Sequence, residues 1–112
     1  MENKILELYA NRIRKHILTE VYSAKSGHPG GSLSAADILT ELYFEQMDIN
    51  KDNVDTIDRD RFVLSKGHAS PVLYATLAEK GFIDIEDLKG FRHLDSKLQG
   101  HPNMNYVPGV DM

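Results

Sequence analysis

Leu6, Tyr9, Ile13, Ile17 and Val21 recur at steps of three and four residues, and this rhythm constrains the fold more than any motif in the chain. It places all five on one stripe of a helix running from about Asn3 to about Lys25. Gly27 and Pro29 stop that helix, glycine by accepting a positive φ and proline because it cannot continue the ladder. A second helix is predicted from Ser34, whose hydroxyl can cap a free amide, with Asp37 in the favourable first turn. Its apolar face would be Ile38, Leu39, Leu42, Tyr43 and Met47. Ser70 and Pro71 form a cap and first position for a third helix, which runs to about Lys80 and ends at Gly81. Asp84 caps a short fourth helix, with Asp87 three residues later.

One segment breaks the helical rhythm. "FVLS" at Phe62–Ser65 has the composition of a short buried strand, with apolar β-formers between charged residues and a glycine. A strand needs partners for both backbone edges, yet no second segment of comparable quality exists. Its neighbours are therefore expected in another chain or in further sequence. The polar stretch Asp48–Arg61 reads as a surface connection, and from Phe91 onward only turn signals and single apolar residues remain.

With 112 residues, residues 1–112 form one domain or part of one. A formal net charge of −4 argues against a nucleic-acid surface, and "NRIRKH" at Asn11–His16 reads as a solvated helix face, His16 included. Without cysteine there is no disulfide, thiolate metal site or cysteine nucleophile, which fits a reducing cytoplasm. No apolar run approaches the ~20 residues of a membrane span. The start, "MENKILELYA", is charged where a leader peptide needs its apolar stretch.

Three histidines each follow a glycine: His28 in "SGHPGG", His68 in "SKGHAS" and His101 in "QGHPN". Glycine lets the backbone turn sharply and brings a ligand near main-chain amides, while Pro29 and Pro102 fix the exit direction. An imidazole there can titrate near neutrality and donate to phosphate or hydroxyl oxygens. On the residues alone, plain surface turns remain the alternative. Zinc is disfavoured, because the histidines form no short ligand pair such as HExxH and no adjacent carboxylate completes one, so no metal ligand is assigned. Ser26, Ser32, Ser65, Ser70 and Ser96 lie in no GxSxG nucleophile motif, and His93 in "FRHLDS" has no assigned role.

"SAKSGHPGGSLSAADILTELYF", "DRDRFVLSKGHASPVLYATLAEKG" and "FRHLDSKLQGHPNM" together resemble the N-terminal, diphosphate-binding part of transketolase, a thiamine diphosphate enzyme. The wording is most similar to the shorter form whose two halves are separate subunits. The resemblance implies an α/β fold: the helix-rich opening of a three-layer thiamine diphosphate-binding domain, with about one strand of its parallel sheet. It further implies transfer of a two-carbon ketol unit from a ketose phosphate to an aldose phosphate. His28 and His101 would be catalytic and contact the donor's hydroxyls, and His68 would bind the cofactor's diphosphate.

In the family a glycine-rich turn and a magnesium-binding GDG segment come next, beyond Met112, and the carboxylate that activates the aminopyrimidine belongs to the other half. Thiamine diphosphate and Mg²⁺ are thus expected in the complete enzyme, with no cofactor held by this stretch alone and no activity from it. Expected partners are sugar phosphates, a C-terminal pyrimidine-binding section or subunit, and a second copy in a homo-oligomer, with no nucleic acid or membrane. The alternative is a truncated, non-catalytic interaction module that keeps the helical core.

Overall fold

In the computed structural model, which describes residues 1–112, every regular element is helical. Helix α1 spans Asn3–Ala24, α2 Pro29–Leu33, α3 Ala36–Glu41 and α4 Ser70–Glu79. A π-helical turn, Leu42–Gln46, continues α3; one 3₁₀ turn, Gly67–Ala69, leads into α4, and a 3₁₀ helix, Ile85–Gly90, follows it.

The first helix fits its expected span, but the chain leaves it at Lys25, which takes a left-handed φ of 53° two residues before Gly27. Ile13 and Ile17 are fully buried, as their spacing requires, whereas the next buried position on the stripe is Glu20 rather than Val21. The centre of the molecule is α4, buried continuously from Ser70 to Ala78. A helix apolar on every side has to be enclosed, and α1, α2, α3 and the 3₁₀ helix Ile85–Gly90 all pack on it. Gly81, with φ +86°, turns the chain at its end.

The expected helix-rich opening is present over these residues, but the expected strand of an α/β sheet does not form within it. Phe62–Leu64 has no ladder partner. Its backbone is satisfied otherwise: the Phe62 amide donates to Asp111 Oδ2 at 2.9 Å and the Leu64 amide to Met112 Sδ at 3.2 Å. Leu64 is buried while Val63 is 62% exposed, so the segment is anchored from one side only. The radius of gyration, 12.9 Å, matches the ~13 Å of a compact domain of this length, so compactness does not depend on a sheet.

The caps also differ. Ser34 lies before α3, and its hydroxyl donates to the Gly31 carbonyl at 3.0 Å instead of accepting an amide. Ser70 is the first residue of α4, and its hydroxyl donates to the Gly100 carbonyl at 2.8 Å. Asp84 precedes the Ile85–Gly90 helix without a side-chain cap bond, and that helix is 3₁₀ rather than α. Ile38, expected on an apolar face, is 60% exposed. Within Asp48–Arg61, Ile49 and Arg59 are buried. Arg59 pairs with Asp111, Nη2 to Oδ1, at 2.6 Å. Burial alone would raise the Asp111 carboxyl, but hydrogen bonds from Arg59 and the Phe62 amide, with the charges of Arg59 and Arg61, outweigh it and hold it below 3.8. His16 is half-buried rather than solvated, with Nε2 2.7 Å from Glu79 Oε2.

Candidate functional site

Each of the three glycine-histidine turns abuts an end of a helix or a loop pinned to α4. His28 is the residue before α2, with extended backbone, and Pro29 supplies the fixed φ of the first turn. Gly27 has φ +123°, which lets the chain reverse out of α1. His68 lies in the 3₁₀ turn leading into α4. His101 follows Gly100 in the loop after the Ile85–Gly90 helix. The three imidazoles line one cleft of about 100 Å³, together with Gly27, Pro71, Phe91, Arg92 and Gly100. No carboxylate lines it.

The start of α4 organises this convergence. Ser32, fully buried, bridges α2 to α4: its hydroxyl donates to the Ala69 carbonyl and accepts the Val72 amide, both at 3.3 Å. Lys66 Nζ donates to the Gly31 carbonyl at 2.7 Å and to Ser34 Oγ at 3.1 Å, which joins the His68 turn to α2. Ser70 holds Gly100, and the Tyr74 hydroxyl donates to the Gln99 carbonyl at 2.7 Å, so two α4 side chains fix the loop that carries His101. None of these four supports follows from a local motif. Each bridges positions at least 25 apart in sequence.

The glycine at 67 has a reason that the sequence does not disclose. A Cβ at Gly67 would stand 2.8 Å from His101 Cδ2, closer than real contacts allow. The glycine before one histidine therefore makes room for another. A Cβ at Gly31 would lie 3.5 Å from His68 Nε2, an ordinary contact, so that position carries no such constraint.

Arg92 is a further lining residue that sequence reading misses. The His93 amide donates to the Gly90 carbonyl at 2.9 Å across Phe91 (φ −50°, ψ 125°) and Arg92 (φ 60°). This is the geometry of a type II turn, whose third position favours glycine. An arginine there costs about 1–2 kcal/mol. Its amide donates to the Leu98 carbonyl at 2.9 Å, and its Nε lies 3.3 Å from where a Gly100 Cβ would stand. The guanidinium makes no hydrogen bond or ion pair within the chain. His93, beside it, contacts the Ser23 carbonyl through Nε2 at 3.0 Å and ties this turn to α1.

Other hollows are larger, two of them several times so. One of about 540 Å³ adjoins the histidine cleft and shares Arg92, Gly100 and His101 with it. The largest, about 610 Å³, lies along Gly81–Pro108 and contains none of the three histidines. Size does not select the site here; the convergence of donors does. No group of three or more His, Asp or Glu is arranged to hold a metal ion, and no helix is long and apolar enough to cross a membrane. The cleft suits a group the size of a phosphoryl moiety, because whole cofactors fill pockets of roughly 300–1,000 Å³.

Residues 5–112 match the family model described as transketolase, thiamine diphosphate binding domain. Among curated relatives, one of the subunits of the apulose-4-phosphate transketolase from Phocaeicola vulgatus is 44% identical over 112 residues, covering 100% of this chain and 40% of the relative. A transketolase of Aquifex aeolicus is 47% identical over 110 residues, covering 97% and 16% respectively. A transketolase variant from Pichia stipitis superposes with a TM-score of 0.90 at 40% identity, over 96% of this chain and 16% of that one. The Campylobacter jejuni transketolase gives 0.87 at 44% identity, over 98% and 17%. The chain thus spans well under half the length of these relatives.

Proposed function

The chain belongs to the transketolase family, within its thiamine diphosphate binding domain, and from that premise we propose that it supplies the N-terminal part of an enzyme transferring a two-carbon ketol unit between sugar phosphates. The observation that carries the proposal is the single cleft shared by His28, His68 and His101. In this reading His28 and His101 contact the donor's hydroxyls and carry protons at their oxygens. Neutral-pH imidazoles suit that task. His68, held at the start of α4, donates to a phosphate oxygen of the cofactor. Gly67 leaves the His101 ring its place, and Ser70 and Tyr74 fix the loop on which that ring rides.

When bound, thiamine diphosphate supplies the electron sink for the ketol carbanion. The residues present fit its diphosphate end, since the cleft offers donors and no carboxylate, but they do not enclose the whole cofactor. Mg²⁺, and the grip on the rest of the cofactor, are therefore assigned to other segments of the complete enzyme, including a C-terminal pyrimidine-binding section or subunit. The Phocaeicola vulgatus relative is named as one of its enzyme's subunits, which favours a divided enzyme of this kind. Leu94, Ile57 and Tyr22, exposed by 93%, 87% and 84%, are available for cover by such partners or by a second copy in a homo-oligomer. The reaction is placed in the cytoplasm, in keeping with a cysteine-free chain.

On its own the 112-residue chain should neither hold the cofactor tightly nor catalyse transfer. Calorimetric titration with thiamine diphosphate and Mg²⁺ tests this, and micromolar binding would contradict it. The transferase reading is tested by co-expressing the chain, with the reading frame that follows Met112, and a pyrimidine-binding partner. Ketol transfer from xylulose 5-phosphate to ribose 5-phosphate should appear and should fall sharply in His101→Ala. A stop codon directly after Met112, with no activity in any such combination, would sink the reading.

A further inference from the structure

We infer that Arg92 is a phosphoryl-binding residue of the histidine cleft, contributing the one fixed positive charge among its lining side chains. The inference rests on the reading of that cleft given above and adds a residue to it. Arg92 lines both the histidine cleft and the adjoining larger hollow, and His101 and Gly100 belong to both. Its guanidinium lies close over Gly100, a position that any side chain at residue 100 would crowd. An exposed arginine is ordinarily solvated and uninformative, but two features set this one apart.

The first is its backbone. Arg92 occupies the left-handed position of a type II turn, where glycine would sit without strain, so the side chain is kept at the expense of the fold. The second is its company. The cleft contains three imidazoles and a guanidinium, no carboxylate, and no internal partner for the guanidinium. Such a set is suited to an anion, and a guanidinium fork matches two oxygens of a phosphoryl group. Two ligands of the proposed reaction carry that chemistry, the cofactor's diphosphate and the phosphate of a sugar substrate.

The arginine Nε–Hε signals of the ¹⁵N-labelled 112-residue chain provide the test, titrated separately with inorganic pyrophosphate, ribose 5-phosphate and ribose. The Arg92 signal should move with a phosphorylated probe and not with ribose. A response to pyrophosphate alone assigns Arg92 to the diphosphate, and a response to ribose 5-phosphate alone assigns it to the sugar phosphate; either supports the inference, as does a response to both. Arg92→Gly should weaken binding of the responding probe by roughly 10- to 100-fold, the range for losing a charged hydrogen-bonding group. The same substitution should raise the melting temperature, because glycine relieves the turn.

Unchanged binding in Arg92→Gly, or an Arg92 signal that stays still in tens of millimolar of either phosphorylated probe, would overturn the inference. Equal responses to ribose and ribose 5-phosphate would do the same. If His68→Ala abolishes pyrophosphate binding while Arg92→Gly leaves it intact, the Arg92 assignment alone falls. If neither substitution affects it, the reading of the cleft falls as well.

Discussion

Glu20 should make the chain less stable as pH rises, and replacing it with methionine should remove that dependence. The residue is fully buried on α1, in the stripe with Ile13 and Ile17, and neither carboxyl oxygen has a hydrogen-bond partner. Burial alone raises its pKa well above 4.5. Because the folded state binds the proton more tightly than the unfolded one, the stability linked to protonation is fully present below 4.5. It is lost as pH rises through the elevated value, at up to about 1.4 kcal/mol per pH unit. Glu20→Met keeps the length and removes two unpartnered acceptors, each of which carries a desolvation penalty of about 1–3 kcal/mol.

The assay is urea unfolding of the two proteins at intervals from about pH 5 to about pH 8, a range in which only proton uptake that differs between folded and unfolded states changes stability. Comparing the variants cancels the contributions of the histidines. The methionine protein should be the more stable throughout, by a margin that widens with pH. A margin that stays constant, or a methionine variant less stable than the parent at the upper end, would refute the reasoning.

Three further perturbations follow from the geometry. Asp111→Asn leaves the Arg59 side chain, only 4% exposed, without its carboxylate, and should cost about 3–5 kcal/mol in urea unfolding. In the parent the stability linked to Asp111 is present above 3.8 and should fade as acid takes the pH down through the depressed folded-state value, which far-UV circular dichroism can follow. Gly67→Ala should displace the His101 ring and shift its NMR signals, whereas Gly30→Ala, with nothing within 4 Å of the new methyl, should leave them in place. Ser70→Ala should cost about 1 kcal/mol through the loop bond to Gly100 rather than through a helix cap, so hydrogen-exchange protection should fall around Gly100–His101 and not along α4.

Much of this structure could be read from spacing, and the failures share a cause. The α1 stripe and the stop at Gly81 depend on local backbone rules, and they survive folding. Ser34 and Ser70 carry the composition of helix caps, but carbonyls claim their hydroxyls first: Gly31, three residues back in α2, for Ser34, and Gly100, in a distant loop, for Ser70. The segment at Phe62 has a strand's composition, yet a carboxylate and a thioether near the C-terminus take up its amides. His16 sits among basic residues in sequence, but α4 delivers Glu79 to it in space. Arg92 gave no sequence signal at all, since its positive φ and its place beside His101 are products of the tertiary loop.

The central claim is that His28, His68 and His101 serve one ligand site, and imidazole NMR of the labelled chain tests it most directly. On titration with millimolar thiamine diphosphate, the three Cε1–H signals should move along one shared isotherm while that of His16, paired with Glu79 on α4, stays fixed. Three unrelated isotherms, or a His16 response as large as the others, would contradict it.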